Sequence, residues 1–311
     1  MSSRQPRSAA ATGYLCLAAP VLFWGGSYRA VATAGPHATA LTLNALRAVI
    51  AAGLLLLLLP LLRGRFPTGR LLLWSAVTGV LGVVVFFEGY AEGTFRAGVG
   101  NAAVLSNTSP FFVLLLGRVV LGERMKPTGV LGLLIGFAGV VTMVSSQLGG
   151  AHGGNLALGM ALALAAGAGW GITTLLVKRL AQRDPTLDIT ALTTGQYVTA
   201  AVILVAVALA VDGTGGAQWS SGSLWGALVF LAAGASVAGF ILFFAAMKRL
   251  PATIASSAQF LVPVVAVLIE VARGDTPDGV VLAGMIVTIG GVALVNLAPQ
   301  FRLPAWAAAR R

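Results

Sequence analysis

The chain is built from membrane-sized apolar stretches that come round twice. Residues Ala97–Gly139 read AGVGNAAVLSNTSPFFVLLLGRVVLGERMKPTGVLGLLIGFAG, and residues Ala252–Gly291 read ATIASSAQFLVPVVAVLIEVARGDTPDGVVLAGMIVTIGG. Each opens on small residues and carries a proline in mid-stretch (Pro110, Pro263). Each then runs apolar, turns at a Gly-acid pair (Gly122-Glu123, Gly274-Asp275) and closes in a Gly-rich segment. An internal repeat in a multi-spanning membrane protein is the common ground plan of secondary transporters, whose substrate site lies between the halves.

Only 9% of the 311 residues are charged, and the mean hydropathy is +0.92. A soluble domain of that composition has too little charge to face water. A bilayer span takes about 20 apolar residues. Ten stretches qualify: 14–35, 39–62, 71–92, 98–121, 128–146, 156–177, 189–211, 223–247, 252–272 and 279–298. In lipid the backbone must satisfy its own hydrogen bonds, so the expected fold is an all-α integral membrane bundle of ten transmembrane helices. The loops are too short for a soluble domain. The expected division is a tail over 1–13, a first five-helix repeat over 14–148, a second over 149–298, and a tail over 299–311. Residues 1–13 are basic, but no small-residue cleavage site follows the first apolar run, which reads as a retained helix.

The net charge of +11 would suggest nucleic acid in a soluble protein. Here it follows topology. With the N-terminus inside, 16 of the 20 basic residues fall on the inner side: Arg4, Arg7, Arg63, Arg65, Arg70, Arg118, Arg124, Lys126, Lys178, Arg179, Arg183, Lys248, Arg249, Arg302, Arg310 and Arg311. Only Arg96 and Arg273 fall outside, and Arg29 and Arg47 lie within spans. The positive-inside rule then places both termini in the cytoplasm, with the chain in the cytoplasmic (inner) membrane. Five spans per half is an odd number, so the second half enters from the opposite side and the repeats are inverted. Further marks extend the repeat: Trp24-Gly25 with Trp170-Gly171, Arg47 with Gln196, and GYAEGTFRAGVGN from Gly89 with FFAAMKRLPATIAS from Phe243.

These segments carry a family resemblance. The chain resembles the drug/metabolite transporter superfamily, in particular its EamA-type ten-helix exporters. It does so through FWGGSYRA in the first helix, NALRAVIAA in the second, RAGVGNAAVLSNTSPFFVLLLGRVVLGERMKPTGVLG across the fourth and fifth, and KRLPATIASSAQFLVPVVAVL across the eighth and ninth. The resemblance covers residues 14–298 and implies transport of amino acids, other small metabolites or drugs. It also implies a pore lined by helices 1, 3, 4, 6, 8 and 9, and a peripheral second helix. One departure is that the second Gly-acid turn is Gly274-Asp275 rather than Gly-Glu, with an additional Glu270 upstream.

Charges inside a bilayer are costly and mark function by default. Four lie within spans: Arg29, Arg47, Glu88 and Glu270. Arg29 is expected to hold a substrate carboxylate, and Glu88 an amino group or a proton. Arg-Glu pairing at the mouth, through Glu88 or Glu270, is the expected gate. Arg47, whose repeat mate is a glutamine, reads as structural. Trp24, Ser27 and Tyr28 mirror Trp170, Thr173 and Thr174, and the i, i+3, i+4 spacing puts each trio on one helix face. They form an expected cavity wall, with Asn101 and Gln259 as further donors. Ser106, Asn107, Ser109, Ser256 and Ser257 add polar groups, although hydroxyls often bond back to their own helix. Pro110 and Pro263 should give paired kinks beside the cavity and serve as gating elements.

Other chemistry is missing from the sequence. His37 and His152 stand alone in loops, Cys16 is the single cysteine, and there is no P-loop or dinucleotide glycine motif. No cofactor, metal or nucleic-acid partner is expected, and a gradient must supply the energy. A membrane-embedded enzyme would need clustered nucleophiles near one interface. A drug or sugar-phosphate carrier of the same fold remains the alternative to an amino-acid exporter. The chain is expected to work as a monomer in the bilayer on a small-molecule substrate.

Overall fold

A computed structural model describes residues 7–62, 64–123, 125–145, 148 and 155–297. Arg4, Arg63, Arg124, His152, Arg302, Arg310 and Arg311 of the sequence reading lie outside the described residues. The described chain is helical throughout: α1 (Arg7–Ala34), α2 (Ala40–Leu61), α3 (Gly69–Ala97), α4 in two pieces (Val99–Ser106 and Ser109–Val120) and α5 (Pro127–Met143). The second half follows with α6 (Leu156–Arg183), α7 (Ile189–Val211), α8 (Gly222–Arg249), α9 (Ala252–Val271) and α10 (Gly279–Leu297). Among the described residues nine spans are long and apolar enough to cross a bilayer alone, and α5, with 17 residues, is the shorter tenth.

Local chemistry sets the ends. Thr39, Asn155, Asp188 and Ser221 cap α2, α6, α7 and α8, each side-chain oxygen accepting from a first-turn amide. The glycines of the two Gly-acid turns, Gly122 and Gly274, have φ of 71° and 106°, a left-handed conformation that a side chain resists. That requirement is why glycine recurs at both turns.

The packing pairs reproduce the repeat. α1 lies against α8 and α9, and its mate α6 lies against α3 and α4. α2 packs on α7, α5 on α10, and α4 meets α9, so each of these helices meets its own mate. The α5–α10 seam is made of small residues, with Gly132, Gly136 and Gly139 facing Gly284, Thr288 and Gly291. α3 and α8 each carry a π-helical stretch, Val80–Val85 and Phe230–Ala238, at matching repeat positions.

One boundary moves a candidate residue. The third span was expected to end at residue 92, but α3 continues to Ala97, where Gly98 (φ 87°) stops it. Glu88 therefore sits nine residues, roughly 14 Å, inside the helix end, rather than four residues from it. Glu270, one residue from the end of α9, keeps its place at the surface of the bundle.

Candidate functional site

The two Trp-Gly marks meet at the centre of the bundle. The Trp24 and Trp170 rings stand edge to face, with centroids 5.6 Å apart. Around them lie Phe86 of α3 and Phe240, Phe243 and Phe244 of α8. Trp24 Nε1 donates to the carbonyl of Ala235 in the π stretch of α8 at 2.9 Å, whereas the buried Nε1 of Trp170 has no partner. The glycine after each Trp turns toward a neighbouring helix. A Cβ on Gly25 would stand 2.5 Å from Val265 of α9, and one on Gly171 would stand 2.8 Å from Phe112 of α4. The pair thus needs a large ring toward the centre and no side chain one residue on.

The Gly25–Val265 contact separates two voids between α1 and α9. One, of 470 Å³, is lined by Tyr28 and Arg29 of α1, Glu270 of α9 and Asp275 of the following loop. The other, of 360 Å³, lies toward the basic end, among Tyr14, Leu17, Val21, Ile254, Ala258 and Asn296. In the first, Arg29 Nη1 stands 3.7 Å from Glu270 Oε2, and Arg273 Nε reaches the same oxygen at 3.8 Å. Arg29 is 49% and Glu270 33% exposed, so this pair is not buried in the bundle.

Glu88 pairs with neither arginine. Its Oε1 accepts from Asn44 Nδ2 of α2 at 2.8 Å. Ser27 and Thr174 bond back to the carbonyls of Trp24 and Trp170, and Asn101 to that of Ala97. Thr173 is fully buried against Gly82 of the α3 π stretch. The structure therefore places Thr173 and Thr174 in helix packing and not at either void, because the face of α6 that they occupy is covered by α3 and α8. Gln259, 9% exposed, accepts from Ser109 of α4 at 3.0 Å and leaves its Nε2 unpartnered. This bond joins the two irregular helices just where each breaks. α4 is interrupted at Asn107–Thr108 and α9 tightens to a 3-10 turn over Ala258–Phe260, each shortly before its proline, Pro110 or Pro263.

Several residues at this site had no role in the sequence reading. Asn44 holds Glu88. At the basic end, Lys178 of α6 donates to the carbonyls of Met247 and of Leu250 (2.7 Å), which close α8. The Glu123 carboxylate, from the first Gly-acid turn, faces the opening amides of α9, with Ala252 N at 3.5 Å. Burial pushes the Glu123 carboxyl above the usual carboxylate range, opposed by Lys178 and those amides. Asp275, the repeat mate of Glu123, instead lines the open 470 Å³ void. The basic end is thus tied across α4–α5, α6, α8 and α9; among the described residues the opposite end is held by other bonds, between Thr39 and Thr42 at the start of α2 and Asp212 after α7.

The sequence matches the model of the EamA-like transporter family twice, over residues 11–145 and 157–297. The chain belongs to the EamA-like transporter family. It is a multi-pass membrane transporter, and the two matches are its two halves. An uncharacterized transporter of Archaeoglobus fulgidus is 27% identical over 91% of this EamA-like chain and 96% of its own length. The aromatic amino acid exporter YddG of Ancylobacter novellus is 27% identical over 71% of this chain and 75% of its own. A probable amino-acid metabolite efflux pump of Salmonella typhimurium is 24% identical over 90% and 93%. A crystal structure at 23% identity superposes with a TM-score of 0.78 over 94% of this chain and 98% of the other, which establishes the shared fold.

Proposed function

We propose that this transporter exports amino acids or closely related small metabolites across the cytoplasmic membrane by alternating access, with its basic end in the cytoplasm. The observation that carries the reading is the unequal state of its two symmetric ends. Glu123 and Lys178 bond across helices at the basic end, while Asp275, the mate of Glu123, lines the larger void at the other end. In an inverted repeat, exchanging these two arrangements exposes the centre to the other side. The names of the amino-acid exporters among its relatives support the substrate class. So do groups of both signs, Arg29 and Glu88, near an aromatic centre at Trp24 and Trp170. Tyr28 and Gln259 add hydrogen-bonding groups, Arg29–Glu270 forms a gate at the open mouth, and the breaks before Pro110 and Pro263 supply the hinges. No cofactor takes part.

The test is counterflow of labelled amino acids in proteoliposomes, with and without an imposed pH gradient. Uptake of a few related amino acids is expected, with lower flux for Arg29→Ala. Wild-type flux in Arg29→Ala removes that residue from the pathway. Folded protein that moves no amino acid overturns the substrate class.

A further inference from the structure

Arg47 is a buried cation to which the structure gives only uncharged partners. It lies in mid-α2, 6% exposed. Its Nε donates to Ser236 Oγ of α8 at 2.7 Å, and its guanidinium carbon sits 3.9 Å over the Phe87 ring of α3. All nine Asp and Glu residues of the chain are among the described residues, and none forms an ion pair with it. An arginine held in a low-dielectric interior without a counter-charge is costly, and its persistence calls for an anion.

The repeat supplies an internal control. The mate of Arg47 is Gln196 of α7, whose Nε2 donates to Thr78 Oγ1 of α3 at 2.9 Å. Both side chains therefore bond a hydroxyl on the crossing helix, and a neutral amide suffices for that bond. The positive charge on Arg47 is additional. Two further observations surround it. The Tyr197 hydroxyl of α7, fully buried, lies beside Ser236 and within electrostatic reach of the guanidinium. Ser236 lies inside one π-helical stretch, and Phe87 follows the other. Such stretches are frequent at functional sites.

We propose that Arg47, with the Tyr197 hydroxyl, is the anchor for a carboxylate group of the substrate. Phe86 and Phe87 join it to the Trp24–Trp170 centre, where the apolar part of the substrate packs, and Glu88 is the next residue along α3. Arg29 and Glu270 at the mouth then act as a gate. The anchor rests on the transport reading above, but a carboxylate ligand need not be an amino acid.

The test uses full-length protein and the variants Arg47→Gln, which places the mate's own residue here, and Arg47→Lys. Thermal stabilisation and Trp fluorescence titrations are run with L-phenylalanine, L-phenylalaninamide and phenylacetate, followed by counterflow. Expected is binding of a carboxylate probe that weakens about 10- to 100-fold in Arg47→Gln, the loss for one charge-assisted contact. The carboxamide should not discriminate wild type from Arg47→Gln, and Arg47→Lys should retain part of the carboxylate preference. Binding of phenylacetate but not phenylalanine, lost in Arg47→Gln, supports the anchor and overturns the amino-acid reading. Equal carboxylate affinity in folded wild type and Arg47→Gln, or no carboxylate binding to wild type at all, overturns the anchor.

Discussion

Replacing Gly291 with alanine should loosen the α5–α10 pair, while the same change one residue earlier should not. A Cβ on Gly291 would lie 2.2 Å from the backbone nitrogen of Gly136, 2.5 Å from its Cα and 2.7 Å from the carbonyl oxygen of Gly132. A Cβ on Gly290 would meet nothing within 4 Å. All three obstacles at Gly291 are backbone atoms, so no side-chain rotation relieves them. Restoring ordinary contact, 3.4 Å or more, requires the two helices to part by about 1.2 Å at this point. Overpacking of this kind costs about 1–3 kcal/mol. The intrinsic gain of alanine over glycine in a helix, roughly 1 kcal/mol, applies to both variants and cancels in the comparison. One kcal/mol shifts the midpoint of a large chain by roughly 2–4 °C, so the melting temperatures of Gly290→Ala and Gly291→Ala should differ by roughly 2–12 °C. The assay is the fraction of monodisperse protein after heating in detergent, read by size exclusion. Equal midpoints for the two variants would show that the α5 and α10 backbones are not in direct contact, and would refute the seam.

Two further perturbations probe other levels of the fold. Ser109→Ala removes the hydrogen bond that joins broken α4 to broken α9 and leaves neither amide atom of Gln259 with a partner. A loss of about 1–3 kcal/mol and slower counterflow are expected, and an unchanged melting curve and flux would show that the bond is dispensable. At the α7–α8 loop, the Thr39 and Thr42 hydroxyls donate to Asp212 and hold its carboxyl below the usual carboxylate range. A depressed acid adds stability that is present above its unfolded value, near 3.9, and is lost as pH falls through its folded value. Wild type should therefore exceed Asp212→Asn by about 1 kcal/mol or less near neutrality, this carboxylate being well solvated. The margin should vanish in acid below that value, and a margin independent of pH would assign it to something other than the carboxylate.

The repeat marks were legible because each serves one local demand. Gly122 and Gly274 recur because both turns need a positive φ, and such a demand acts within a few residues. Trp24-Gly25 and Trp170-Gly171 recur because a ring fills the centre while the next residue meets a neighbouring helix too closely for a side chain. Pro110 and Pro263 marked the two breaks, but their location at Asn107–Thr108 and Ala258–Phe260 was not written in the prolines alone. The lost ring-blocked hydrogen bond involves a carbonyl of the preceding turn, so the distortion falls upstream.

The polar lining was less legible. Helical spacing put Trp170, Thr173 and Thr174 on one face, yet it could not say that α3 and α8 cover that face. Arg29 and Arg47 are both intramembrane arginines of one half, and the sequence assigned Arg29 to the substrate and Arg47 to structure. Packing separates them: Arg29 reaches an exposed mouth and meets Glu270, while Arg47 is enclosed by α3, α7 and α8 with neutral partners. Glu88 and Asn44 are 44 residues apart and meet only because α2 and α3 lie side by side.

Hydropathy, odd span number and recurring turn glycines by themselves determined a ten-helix, twice-repeated membrane bundle, since backbone satisfaction in lipid and backbone conformation at turns are short-range constraints. Tertiary structure alone decided which charges find a partner, which hydroxyls are spent on their own helices, and which bonds hold each of the two symmetric ends. Those outcomes depend on contacts between helices distant in the chain, and identical local sequence features meet different neighbours there.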